Sequence, residues 1–222
     1  MRAFFDRDTD LSELLARHNN LITEVRSEEP IDWQQVSRDG WDPILVGQRF
    51  FVVPPWVEEP TPQGRMRLVF DSMMAFGTGR HESTQLAIEA LETYLRPGQT
   101  VVDVGCGTGI LSKAAEMLGA GRVFACDVDP VAAEEARQCL GRRVFVGSAN
   151  AVQRSVADVV LANITAAAIE KIGPELSRIS KPGSIMVLGG FMTEDLPKTF
   201  KPDHTLTRGD WVCWIVRNVG AR

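Results

Sequence analysis

The sequence predicts an α/β protein built on a mostly parallel sheet of seven strands with an antiparallel edge strand. Three observations predict it. From about Met66 onward, short apolar runs alternate with helical patterns, the order of a parallel sheet covered by helices. The runs Val101-Val102, Val159-Val160-Leu161 and Ile185-Met186-Val187-Leu188 are apolar without alternation, as strands buried on both faces are. The last strand breaks that pattern, because TRGDWVCWIVRN alternates and follows a Gly-Asp turn, the mark of an antiparallel edge hairpin.

Taken in chain order, residues 10–25 place Leu11, Leu14, Leu15, Leu21, Ile22 and Val25 at helical spacing, with Asp10 as N-cap and Glu13 as its capping-box partner. Trp33, Trp41 and Trp56 then punctuate turns, and Phe50 to Val53 reads as a short strand closed by Pro54 and Pro55. Residues 1–60 are therefore expected to be an N-terminal helix and linker, and residues 61–222 one domain. In that domain strands are expected near 66–70, 100–104, 122–126, 143–146, 157–162, 184–189 and 211–217. Helices are expected over 83–95, 109–118, 130–140 and 165–179, with a short one near 194–200.

Composition excludes several classes. At 222 residues, 44% hydrophobic and 24% charged, the chain sits at the globular average and can bury a sizeable core. No run approaches the roughly 18 apolar residues of a membrane span, and the N-terminus lacks the pattern of a secretory signal, so a cytoplasmic protein is expected. A net charge of -5 disfavours a nucleic-acid binder, which needs clustered Lys and Arg, and leaves a basic protein as a partner. Cys106, Cys126, Cys139 and Cys213 show no CxxC pairing, two of them fall inside strongly apolar segments, and there are three histidines, so buried free thiols are expected in place of disulfides, and no metal site.

The strongest chemical signal is VVDVGCGTGILSKAAEMLGAGRVFACDVDP, residues 101–130. It reads as strand, glycine loop, helix, strand and an acidic residue. Gly105, Gly107 and Gly109 permit a tight turn with close backbone approach, and Asp127, 22 residues after Gly105, can accept both ribose hydroxyls. Two features disfavour a dinucleotide: Ile110 stands where the third fingerprint glycine belongs, and Asp103 directs a negative charge toward a pyrophosphate's place. A nucleoside carrying a cationic amino acid fits instead, and S-adenosyl-L-methionine is that cofactor. The competing reading is a strand-to-helix turn with three convenient glycines.

A second signal, AFGTGRHESTQLAIEALE at 75–92, sets Gly77, Thr78 and Gly79 before a helix. In it Thr84 can offer its hydroxyl to the cofactor's amino acid and Phe76 an aromatic face to the sulfonium. Equally, Ser83 or Thr84 can cap the helix with Phe76 in the core. The third signal is DVVLANITAAAIE at 158–170, whose strand ends in Asn163. Ligands of open α/β sheets bind outside the carboxyl ends of strands, so Asn163 is expected to orient an acceptor amine; it could instead cap the next helix. Ser148, in FVGSAN, is placed beside the adenine by position alone. His81 is read as a packing residue and not as a base.

At these segments the sequence resembles the methyltransferases of large-subunit ribosomal protein eleven, a family of S-adenosylmethionine-dependent protein lysine methyltransferases. The resemblance rests on AFGTGRHEST, VVDVGCGTGILSKAAEMLGA with FACDVDP, LANI and VGQRFFVVPPW, over about residues 33–217. It implies a Rossmann-like class I methyltransferase sheet, a protein substrate such as a ribosomal protein, and cofactor binding by Thr84, Gly105, Asp127 and Asn163. Three departures bear on the acceptor. About 32 residues precede Trp33 where the family carries an N-terminal recognition domain, Arg80 stands where a small residue or His is usual, and GGF at 189–191 replaces SGI. Residues 1–60 are accordingly expected to act as a lid or docking arm. A small-molecule methyltransferase and a catalytically silent cofactor-binding partner remain as alternatives, and the oligomeric state is left open.

Overall fold

A computed structural model describes residues 9–18, 42–70 and 80–219. Trp33, Trp41, residues 19–25 of the expected first helix, and Phe76, Gly77 and Thr78 lie outside the described residues. The chain divides into two compact units, Met1–Trp41 and Asp42–Arg222. In the first, α1 (Ser12–His18) begins where Asp10 Oδ1 accepts the Ser12 N–H at 2.9 Å, a local cap of the kind Asp provides.

Residues 42–60, expected to go with the N-terminal segment, pack within the second unit. Strands β1 (Ile44–Val46), β2 (Phe50–Val53) and β3 (Met66–Val69) form a three-stranded sheet in which β2 pairs antiparallel with β1 and parallel with β3. Val46, Phe50, Val52 and Leu68 are buried in one core with Leu86, Leu91 and Val101, which binds this small sheet to the larger domain. The strand expected at 66–70 is thus real but is not part of the seven-stranded sheet. Its side-by-side register with Phe50–Val53 satisfies both backbones, and Pro54 ends β2 because it donates no N–H.

The main sheet comprises β4 (Thr100–Val104), β5 (Arg122–Asp127), β6 (Val144–Val146), β7 (Ala157–Asn163), β8 (Ser180–Met192), β9 (His204–Arg208) and β10 (Trp211–Arg217). Their order is β6-β5-β4-β7-β8-β10-β9, parallel from β6 to β8, with β10 running antiparallel to both β8 and the edge strand β9. The expected seven strands are therefore met with His204–Arg208 as the edge member. HTLTR carries little apolar signal, and only its pairing with β10 shows it to be a strand. Helices α2 (Glu82–Tyr94), α3 (Ile110–Met117), α4 (Pro130–Leu140) and α5 (Ala166–Ile179) cover the faces. The helix expected near 194–200 does not form: Pro197 falls within it, and Glu194, Asp195 and Leu196 are exposed.

The chain runs outward from β4 through β5 to β6 and then returns to lay β7 on the other side of β4. This reversal creates a crevice outside the carboxyl ends of β4 and β7, where α/β sheets bind ligands. No helix among the described residues is long and apolar enough to cross a membrane.

Candidate active site

At the carboxyl end of β4 the backbone turns sharply through Gly105, Gly107 and Gly109, with φ of 73°, 53° and 83°, a region closed to most side chains. The loop is tied to the neighbouring strand, because the Gly105 and Cys106 N–H groups both donate to the Cys126 carbonyl, at 2.8 and 3.1 Å. A Cβ at Gly105 would lie 2.4 Å from Ile164 Cγ2, and one at Gly109 would lie 3.2 Å from Ala136 Cβ. Glycine therefore lets the loop close against the segment after β7 on one side and against α4 on the other.

Asp127 ends β5 beside this loop. Its Oδ2 accepts the Gly107 N–H at 2.9 Å and its Oδ1 the Asp129 N–H at 3.0 Å. The carboxylate is held rigid while its remaining lone pairs stay available for a diol. Across the switch point, Asn163 ends β7 with Nδ2 3.5 Å from Thr84 Oγ1, while its buried Oδ1 has no partner. Gly189 lies opposite in register, and a Cβ there would come 2.9 Å from Asn163 Oδ1.

These groups border one cleft of about 850 Å³, lined among others by Thr84, Gly105, Gly107, Asp127, Ser148 and Asn163. Six positions expected at the cofactor are thus gathered from α2, two strand ends and two loops. Asp103 and Gly109 do not line it. Asp103 is 1% exposed and faces α3, where the Ser112 hydroxyl donates to its Oδ2 at 2.7 Å and leaves its Oδ1 without a partner. Burial pushes its carboxyl up to about 7, opposed by the Ser112 hydroxyl and reinforced by the charge of Asp127. Gly109 is the left-handed residue that opens α3.

The capping alternatives also resolve. α2 is capped by His81, whose Nδ1 accepts the Ser83 N–H at 3.3 Å, so Thr84 is free of that duty and its side chain meets Asn163. α5 is capped by Thr165, which accepts the Ala168 N–H at 3.3 Å, so Asn163 is not a cap. His81 stands edge-on to Trp211, with ring centroids 4.2 Å apart, as a packing residue does.

Several lining residues escaped the sequence reading. Ala168, Lys171, Ile172 and Glu175 line the cleft from one face of α5; their spacing was legible, but an amphipathic stripe reads equally well as a core face. Trp211 comes from the far edge hairpin, with no local signal of a site. Cys106 lies in the glycine loop against the cleft. Burial, then Asp103 and Asp127, push its thiol far up, which keeps it protonated and un-nucleophilic.

A model of the ribosomal protein L11 methyltransferase family (PrmA) matches residues 1–219. The chain belongs to that family. The match includes residues 1–32, which the motif resemblance did not reach. A family member from Gloeobacter violaceus is 38% identical over 84% of this chain and 63% of its own length. One from Pseudomonas paraeruginosa is 35% identical over 95% of this chain and 78% of its own length. The chain thus spans between 63% and 78% of the length of these relatives. The crystal structure of a ribosomal protein L11 methylase from Lactobacillus delbrueckii subsp. bulgaricus superimposes with a TM-score of 0.70 at 26% identity, covering 79% of this chain and 97% of that one. The expected family and the seven-stranded class I methyltransferase sheet are borne out.

The donor set fits S-adenosylmethionine. A rigid carboxylate faces the cleft at Asp127, and a Cβ-free cradle passes beside it through Gly105 and Gly107.

Proposed function

We propose that this chain transfers methyl groups from S-adenosyl-L-methionine to amino groups of a protein, the acceptor being ribosomal protein L11 as the family name indicates. The observation that carries the reading is the buried, unpartnered Oδ1 of Asn163 beside Thr84, in the same cleft as Asp127 and the glycine loop. A buried amide oxygen without a partner is costly unless a ligand completes it, and an amine N–H does so.

When bound, the cofactor supplies a methyl group already activated by its sulfonium. Transfer from the sulfonium to the nitrogen of a neutral amine then breaks the S–C bond as the N–C bond forms, the surplus proton leaving the product ammonium to solvent, and the chain's residues are required for alignment. Asp127 would accept the ribose hydroxyls, Gly105 and Gly107 would let the backbone approach, and Ser148 would border the adenine. Asp103, beneath the loop, offers a counter-charge to the amino acid's ammonium. Thr84 fixes the Asn163 amide through Nδ2, so that Oδ1 would accept an N–H from the neutral acceptor amine and hold it in the cleft with its lone pair free. A ribosomal acceptor places the reaction in the cytoplasm, and the net charge of -5 suits a basic protein partner with no direct nucleic-acid contact.

Labelled methyl transfer from S-adenosylmethionine to purified ribosomal protein L11 tests this, with the labelled residues located by mass spectrometry. Label is expected on lysine or α-amino nitrogen. Asn163→Ala is expected to lower kcat about 100-fold while S-adenosylhomocysteine binds within about threefold of wild type, since the lost interaction matters most in the transition state. Full transfer by Asn163→Ala would remove its role. Label confined to other proteins or a metabolite would reassign the acceptor.

A further inference from the structure

The connection between β6 and β7 forms one end of the cleft, through Gly147, Ser148 and Asn150. Its regular structure is a single 3-10 turn, Ala149–Ala151, whose closing bond runs from the Val152 N–H to the Ala149 carbonyl at 3.1 Å. Arg178, on the last turn of α5, binds this turn from outside. Its Nη2 donates to the carbonyls of Val152 at 2.8 Å, Ala149 at 2.9 Å and Asn150 at 3.3 Å. Its Nε donates to Glu175 at 2.5 Å, and its own carbonyl accepts the Ser155 N–H at 2.9 Å. The side chain is 21% exposed, so these charge-assisted bonds are largely shielded from water.

The wall held in this way is joined to the ribose carboxylate, because the Gly147 N–H donates to the Asp127 carbonyl at 2.8 Å. With ribose on Asp127 and the reacting end at Thr84 and Asn163, the base must extend the other way, toward β6 and residues 147–150. The Ala149 carbonyl is drawn to Arg178, and a trans peptide turns the following Asn150 N–H in the opposite direction. Arg178 therefore fixes both the position of the wall and the facing of its peptide groups.

We infer that Arg178 is a positioning residue for the nucleoside end of the cofactor: it sets cofactor affinity by holding the 147–152 wall and contributes nothing to the methyl-transfer step. This rests on the cofactor reading proposed above. Lysine cannot replace it, since one ammonium does not reproduce a planar fork bonded to several carbonyls and a carboxylate at once.

Calorimetric titration of wild type, Arg178→Lys and Arg178→Met with S-adenosylhomocysteine and with adenosine provides the test, together with KM and kcat for both substrates. Both variants are expected to bind S-adenosylhomocysteine about tenfold more weakly, the loss of roughly one charged hydrogen bond. Adenosine should weaken by the same factor. KM for S-adenosylmethionine should rise in parallel, with kcat at saturating cofactor and KM for the protein acceptor unchanged. Binding stoichiometry near one certifies that each variant is folded. Variants that bind both ligands as tightly as wild type overturn the inference, as does a fall in kcat or stoichiometry with unchanged affinity, which would mark a purely structural role. Failure of wild type itself to bind S-adenosylhomocysteine would instead refute the cofactor reading.

Discussion

Asp103→Asn isolates the cost of burying a carboxylate beneath the glycine loop. Asp103 is 1% exposed, one of its oxygens has no partner, and its carboxyl is pushed up to about 7 by burial from an ordinary value of 3.8. Between those values the folded protein holds a proton that the unfolded chain has released, so stability falls as pH rises through this window and is lowest above about 7. Each tenfold difference in proton affinity between the two states is worth about 1.36 kcal/mol, which brings the full effect to about 4 kcal/mol. Asparagine has the same shape, can still bond Ser112 and carries no charge. Urea unfolding of the unliganded protein at several values from pH 5 to pH 8 measures the difference. Asp103→Asn should gain on wild type from pH 5 to about pH 7, level off above it, and be the more stable protein by a few kcal/mol at pH 8. S-adenosylhomocysteine, whose ammonium compensates the charge, should raise the melting temperature of wild type at pH 8 by more than that of the variant. Parallel pH profiles for the two proteins would refute the reasoning.

Two further substitutions probe the cradle. Gly105→Ala should destabilise the fold by about 1–2 kcal/mol for a left-handed alanine, with a further cost because its Cβ would meet Ile164 Cγ2 at 2.4 Å; chemical unfolding and S-adenosylhomocysteine titration should show both lower stability and weakened binding. Asp127→Ala should strip the Gly107 and Asp129 N–H groups of their acceptor, costing about 1 kcal/mol for each bond, and should weaken S-adenosylhomocysteine binding about 100-fold by calorimetry. Unchanged affinity in Asp127→Ala would remove the ribose assignment.

The glycine loop, the acid 22 residues on and the apolar strands on either side are local patterns: each is dictated by backbone sterics or strand burial within a few residues. Sequence therefore determined the α/β class, the helices at 82–94, 110–117, 130–140 and 166–179 to within a residue or so, and the positions of Asp127 and Asn163 at strand ends. What depends on partners far along the chain was settled only by the tertiary structure. Residues 66–69 pair with β2 and leave the main sheet, while the polar HTLTR joins it, because strand membership is decided by a neighbour's free edge and not by a strand's own composition. Asp103 is buried beneath the glycine loop and bonded to Ser112, instead of lining the cleft, because α3 packs on that face of β4. Trp211, the cleft face of α5 and the Arg178 clamp converge on the site from segments that carry no local mark of it. Their roles arise from the return of the chain to β7 beside β4, a contact that no short stretch of residues encodes.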